Sequence, residues 1–207
     1  GYQNQESLSE DISAGLRAIY NRKFIRPGRA LTMQANMNFT NTKGTTQTYA
    51  YDKMRGVALV DQRTLSGNDA YSYSLRTSYV EPIYKNNHLL EMVLSVSGRN
   101  RISEKNQFAK DSLTGEYTVY DSVYSNNLHN SLYSEQLELN YRWVDERFDL
   151  MLGARAIAQQ THSRTYYGGV LARDTLYNKW NFSPNMNFRY KFERKKFARI
   201  IYRGTTQ

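Results

Sequence analysis

The chain has no cysteine, only three prolines in 207 residues, and no apolar run long enough for a membrane-spanning helix. The first absence excludes a disulfide scaffold and any thiolate metal site. Scarce proline suits many strands joined by polar links, because proline removes a ladder donor and is confined to edges and turns. Without some eighteen consecutive apolar residues no transmembrane helix is expected, and no signal-peptide core is expected either. The three histidines, His88, His129 and His162, fall in or beside expected turns with no ligand-like spacing. No P-loop, GxSxG or HExxH motif is present, so no catalytic residue, metal site or cofactor is expected and the chain does not read as an enzyme. The mean hydropathy of -0.74 has the value of a soluble protein. Such an average is blind to a two-residue period and leaves a membrane barrel open.

What the sequence has in abundance is tyrosine, 18 residues, and positive charge, a formal net of +9. The densest basic groups are Arg22, Lys23, Arg26 and Arg29, and then Arg194, Lys195 and Lys196. Both sit at expected chain reversals, where solvated turn charges are the ordinary reading. A binder of single-stranded nucleic acid would need basic and aromatic side chains interleaved in one groove. Here alternation sends them to opposite faces, so no nucleic-acid partner is expected.

The clearest stretch begins at Trp180. Trp180, Phe182, Pro184, Met186, Phe188, Tyr190 and Phe192 alternate with Asn181, Ser183, Asn185, Asn187, Arg189 and Lys191. Side chains on a strand alternate faces, so one face is apolar and the other wet. A short basic reversal then leads to Ala198, Ile200 and Tyr202 opposite Arg199 and Arg203. Upstream the same pattern recurs. Leu31 to Phe39 alternates with Thr32, Gln34, Asn36 and Asn38, and Leu90, Met92, Leu94 and Val96 alternate with Glu91, Ser95 and Ser97. Tyr71 to Val80, Leu137 to Trp143 and Phe148 to Ala158 behave alike. The segment Ile12 to Tyr20 fits a helix behind a Ser7 to Glu10 capping box as well as a strand. Its alternating neighbour favours a hairpin across Pro27-Gly28.

These patterns predict an all-β fold, one antiparallel up-and-down meander of about eight long amphipathic strands forming part of a transmembrane β-barrel. A single segment is expected over residues 1–207, with hairpins at about 11–40, 70–101, 132–161 and 178–205. Long loops are expected at about 41–69, 102–131 and 162–177, with strand prolongations near Gly56 to Asp61 and Tyr117 to Val123. Short reversals alternating with long links are the asymmetry of outer-membrane barrels. Lumen-facing candidates are Arg17, Gln34, Asn36, Arg76, Arg155, Asn187 and Arg189. Glu91, Glu138 and Asp149 share that face with Arg76, Arg99, Arg142 and Arg155, which reads as mutual charge compensation. Tyr20, Tyr79, Trp143, Trp180 and Tyr190 lie near strand ends. They read either as an aromatic girdle at the lipid headgroups or as cross-strand partners in a soluble sheet.

The phrases Arg22-Lys-Phe-Ile-Arg-Pro-Gly-Arg-Ala-Leu31, Tyr79-Val-Glu-Pro-Ile-Tyr-Lys-Asn-Asn-His-Leu-Leu-Glu91, Asn181-Phe-Ser-Pro-Asn-Met-Asn-Phe-Arg-Tyr-Lys-Phe192 and Ile201-Tyr-Arg-Gly-Thr-Thr-Gln207 carry a resemblance. In their order and spacing they resemble outer-membrane barrels of the TonB-dependent receptor kind, those with an amino-terminal carboxypeptidase-regulatory-like domain. The resemblance implies a barrel piece of a longer Gram-negative receptor, with the plug and TonB box elsewhere. It further implies nutrient uptake, location in the outer membrane, and as partners its lipid, the TonB complex acting through the plug, and an unidentified nutrient. The alternative is a soluble lipocalin-like or sandwich module whose apolar face turns inward around a small ligand.

Overall fold

The computed structural model describes residues 1–85, 87–193 and 196–204. Eight strands follow one another: β1 (Tyr2–Lys23), β2 (Ala30–Asp52), β3 (Val57–Tyr84), β4 (His88–Lys110), β5 (Tyr117–Val144), β6 (Phe148–Tyr167), β7 (Val170–Glu193) and β8 (Lys196–Arg203). They form a single antiparallel sheet in the order β1 to β8. The all-β meander is therefore as the alternation predicts. The segment Ile12 to Tyr20 is strand and not helix, and β1 also takes in the polar residues before it, including Ser7 to Glu10.

The long loops are where structure and expectation part. Residues 41–69, 102–131 and 162–177 are mostly strand, and the connections at that end shrink to residues 53–56, 111–116 and 168–169. Strands β1 to β7 each run for 20 to 28 residues, whereas a tilted strand crosses hydrocarbon in about 9–11. The expected loops are thus strand extensions that carry the hairpins well past the apolar band. Thr40 to Thr48 shows why: it is polar on both faces, so alternation disappears, but its threonines favour extended backbone. Gly168 and Gly169 make a two-residue turn with φ of 55° and 83°, the twist a tight hairpin needs. Asn86, Arg194 and Lys195 of the expected reversals lie outside the described residues. So do 205–207, which end the last hairpin and its motif.

Register decides what the sheet can do. On β1 to β3, Leu16, Met37 and Tyr73 form one row, and Ala18, Ala35 and Leu75 the next. Across β4 to β7, Leu94, Leu137, Ala156 and Phe182 are row partners, as are Met92, Leu139, Ala154 and Pro184. Phe188 continues onto Ile200 of β8. Every apolar set meets its neighbour's apolar set, since a slip of one residue would flip a strand's whole side-chain pattern.

The apolar face is the open one. Leu94 is 47% exposed and Leu139 45%, while on the other face Val93 is 0%, Asn140 6% and Glu138 9%. Among the described residues no second layer covers either face, because strands touch chiefly their sequence neighbours. The burial of Val93 therefore comes from curl: the sheet bends toward its polar side and crowds it. Gly153 shows how tightly. It lies in a row between Asn140 and Asn185, and a β-carbon there would overlap Asn140 Oδ1 and stand 2.7 Å from Asn185 Nδ2. Replacing Gly153 with valine is expected to destabilise the folded protein by about 1–3 kcal/mol through overpacking. Denaturant unfolding against wild type checks this, and an unchanged midpoint would refute the crowding.

Candidate functional site: an apolar outer band and a polar concave face

The outer band has aromatic borders. At the turn end, Trp143 stacks on His88 at 5.1 Å and meets Phe148 edge-on at 4.6 Å. His88 Nδ1 lies 2.6 Å from the Tyr141 hydroxyl, so this histidine belongs to an aromatic cluster. Tyr190 packs edge-on against Phe192 at 5.0 Å. Tyr79 meets Phe24 edge-on at 6.4 Å and donates to Glu81 Oε2 at 2.6 Å. Arg29 grips the same carboxylate through Nε at 2.8 Å and Nη2 at 2.7 Å, with Arg26 3.1 Å away. Two of the basic residues expected as free turn charges are therefore tied to a carboxylate beneath the apolar rows. Tyr20, also on the apolar face, is 52% exposed.

A second border lies on the far side of the band, and of the expected aromatic positions only Trp180 belongs to it. Tyr71, Tyr73 and Tyr133 share it, with Tyr71 and Tyr73 5.8 Å apart and Tyr73 and Tyr133 both aligned on Gly98. Between the borders run Tyr71 to Tyr79, Tyr133 to Trp143 and Trp180 to Tyr190, each matching the roughly 9–11 residues of a tilted spanning strand. The signal for this border was recurrence of aromatics at that separation, which no strand shows alone.

The borders also drift across the sheet. The row of Tyr79 passes through Met92, Leu139 and Ala154 to Pro184, yet the border aromatics are Trp143 on β5 and Tyr190 on β7, both further toward the turns. The row of Tyr71 reaches Leu176, whereas the border is at Trp180. Tyr20 lies in the row of Thr77, displaced in the same sense on the opposite side of β3. The drift runs from about 1 to about 2 residues per strand and averages about 1.3, which at about 3.3 Å rise and about 4.8 Å spacing corresponds to a tilt of roughly 40–45°. That is the strand tilt of closed barrels.

The concave face carries the ionic network. Ser78 donates to Glu91 Oε1 at 2.6 Å, and Asn140 Nδ2 contacts Glu91 Oε2 at 3.3 Å and Glu138 Oε1 at 2.9 Å. One amide group thereby holds two carboxylates. Arg155 Nε approaches Glu138 Oε2 at 3.4 Å, an ion pair without hydrogen-bond geometry, since that buried nitrogen has no hydrogen-bond partner. Arg142 grips Asp149 bidentately at 3.0 and 2.6 Å. Charge compensation thus holds for Arg142 and Arg155, but Arg76 and Arg99 have no carboxylate partner among the described residues. Of the expected inward set, Asn36 donates to Ser74 at 3.1 Å and accepts from Gln34 at 3.4 Å. Arg17 aligns with Asn36, and Arg76 with Gln34. Asn187 accepts from Arg199 at 2.9 Å, and the Arg189 guanidinium lies 4.3 Å from the Phe197 ring centre. The seven expected residues therefore share one face but make several separate contacts.

Beyond the band, on the outer face of the extensions, Tyr117 donates to Asp61 at 2.5 Å beneath Arg63, whose guanidinium is 4.8 Å from its ring. The hydrogen bond it donates to the Asp61 carboxylate raises the Tyr117 pKa above the usual phenol value. His162 Nε2 lies 2.6 Å from Asp174, and His129 packs against Tyr166 at 5.1 Å. Both histidines are in strands and not in loops.

No family model matches the chain, and no curated protein matches it. Among solved structures, the chain is similar to the ferric-catecholate import receptor Fiu from E. coli K12, in its open form, with a TM-score of 0.57 and 10% identity. The match covers 95% of this chain and 35% of that one, so the chain spans about a third of the receptor's length. The unliganded ferric citrate transporter FecA also matches, at 12% identity and a TM-score of 0.46 over 82% of this chain and 27% of that one. At such identities the likeness to Fiu is one of fold: the curved sheet resembles part of a receptor barrel.

The chain contains two tryptophans, which makes the borders measurable. With Trp143→Phe or Trp180→Phe, each single-tryptophan protein in lipid vesicles is expected to be quenched more by lipids brominated near the headgroup than near the chain terminus. The two should also respond to a membrane-impermeant quencher from opposite sides. Strongest quenching from the bilayer centre for either residue would break the border assignment.

Proposed function

We propose that this chain is barrel wall from an outer-membrane receptor and transporter of the TonB-dependent kind, and that it works in nutrient uptake without enzymatic chemistry. One observation carries the reading: an exposed apolar band of spanning height, bordered by aromatics on both sides and drifting across the register at the tilt of a closed barrel. Hydrocarbon offers backbone groups no partners, so strands can cross it only as a closed sheet. Among the described residues the outer edges of β1 and β8 are unpaired. The segment therefore forms part of a wider cylinder, in keeping with its span of about a third of Fiu.

In this reading Leu75, Leu94, Leu139 and Phe182 meet acyl chains. Tyr20, Tyr79, Trp143 and Tyr190 sit at one headgroup level, and Trp180 with Tyr71, Tyr73 and Tyr133 at the other. Arg17, Gln34, Asn36, Arg76, Arg155, Asn187 and Arg189 line the lumen. The strand extensions rise on the outer side, where they would meet the nutrient first. The plug and the TonB complex that acts through it complete the importer. A soluble lipocalin-like or sandwich module would bury the apolar face, and here that face is the exposed one.

Leu94→Arg is expected to impair membrane insertion, at a cost of about 2–4 kcal/mol near the midplane. Ile157→Arg, which places the same charge on the concave face, is expected to insert normally. Heat-modifiable migration of the outer-membrane fraction reads both. Equal behaviour of the two variants would remove the assignment.

A further inference from the structure

The excess positive charge is not spread evenly over the two faces. Alternation places Asp61, Asp69, Glu81, Glu104, Glu135 and Asp174 outward. The inward carboxylates of the strands are fewer, and most are already engaged: Glu138 by Arg155 and Asn140, Asp149 by Arg142, Glu91 by Ser78 and Asn140, and Glu193 by Lys196. Inward guanidiniums remain over. Arg17, Arg76 and Arg99 are exposed and have no hydrogen-bond or ion-pair partner among the described residues. The concave surface therefore carries net positive charge that its own acids do not neutralise, on a wall whose curvature focuses the field.

One of these guanidiniums, Arg99, lines a recess. Asn36, Asn38, Ser72, Ser74, Ser97 and Arg99, with the apolar Leu132 beside Arg99, line a concavity of about 280 Å³ on the polar face, away from the sheet edges. Register puts Asn36, Ser74 and Ser97 of the lining in one row, which Arg17 continues on β1, and Arg99 in the next row with Ser72 and Asn38. Hydroxyl and amide groups supply neutral donors, and Arg99 presents a free planar fork. That combination suits an oxyanion, because a guanidinium binds carboxylate or phosphate bidentately while short polar side chains take the remaining oxygens.

We infer that this recess is an anion-binding site on the lumen wall, selecting solutes that bear carboxylate or phosphate oxyanions. The inference rests on the barrel reading above, since it requires the concave face to be the wetted conduit. The test is made only on membrane-extracted protein that has passed the heat-modifiability assay, so a failed barrel is seen before any binding is measured. Calorimetric titration at low salt uses benzene-1,3,5-tricarboxylate and pyrophosphate as probes, with spermidine as the cationic control. At least one oxyanion is expected to bind, and the two arms show whether carboxylate or phosphate is preferred. Arg99→Gln is expected to weaken binding at least tenfold and Arg99→Lys less. Arg164→Gln, on the outer face, should leave it unchanged, and added salt should weaken it. Absence of oxyanion binding to the folded barrel would overturn the inference. So would binding indifferent to Arg99→Gln, or spermidine binding of equal strength.

Discussion

Everything in this structure depends on backbone hydrogen bonding between strands that must keep one register. A single-layer sheet has no core to correct a slipped strand, so the ladders themselves hold the apolar side chains on one face from β1 to β8. A slip of one residue in any strand would place its arginines among leucines. The faces are then separated not by a buried interior but by curvature. The convex side stays apolar and open, and the concave side stays polar and crowded enough to bury Val93, Glu138 and Asn140. This inverts the usual arrangement of a soluble domain, and it is the arrangement that a hydrocarbon solvent selects.

The apolar band and the strand extensions serve different demands on one continuous ladder. Inside the band, side chains alternate strictly between an apolar outer face and a polar concave one, as the proposed contact with oil on one side and water on the other requires. Past Tyr71, Tyr73 and Tyr133 both faces are polar, and the sheet continues on threonine-rich hydrogen-bonded hairpins. Local polar clusters take over there, such as Tyr117 with Asp61 and Arg63, or His162 with Asp174. The stagger of the borders links the two regions, because each extension continues its own strand at the same tilt to the band.

The sequence was legible wherever the two faces differ in polarity. Trp180 to Phe192 and Leu90 to Val96 declared their strands by period alone, and the apolar alternation of Leu31 to Phe39 decided for strand in the ambiguous Ile12 to Tyr20. Where both faces are polar the signal vanishes, and residues 41–48, at the start of the expected loop 41–69, are strand because their β-branched threonines favour extended backbone. The borders were half legible. Trp143 and Tyr190 stand out at strand ends, but Tyr71, Tyr73 and Tyr133 become a border only once the register and its drift are known. The ionic face shows the same limit. Arg142 and Arg155 find carboxylates as expected, but only coordinates reveal that Asn140 holds both Glu91 and Glu138 and that Arg76 and Arg99 are left over.

The absence of cysteine allows the central claim to be measured directly. Single cysteines placed in turn from Leu89 to Ser97 on β4 can carry nitroxide labels, with the protein reconstituted in lipid. Collision with oxygen, which concentrates in hydrocarbon, is then compared with collision with a water-soluble nickel chelate. An apolar face in contact with lipid predicts a two-residue alternation, with positions 90, 92, 94 and 96 open to oxygen and closed to the chelate. Even-numbered positions closed to both reagents would mean that this face is packed in a dry interior, and the account would be wrong.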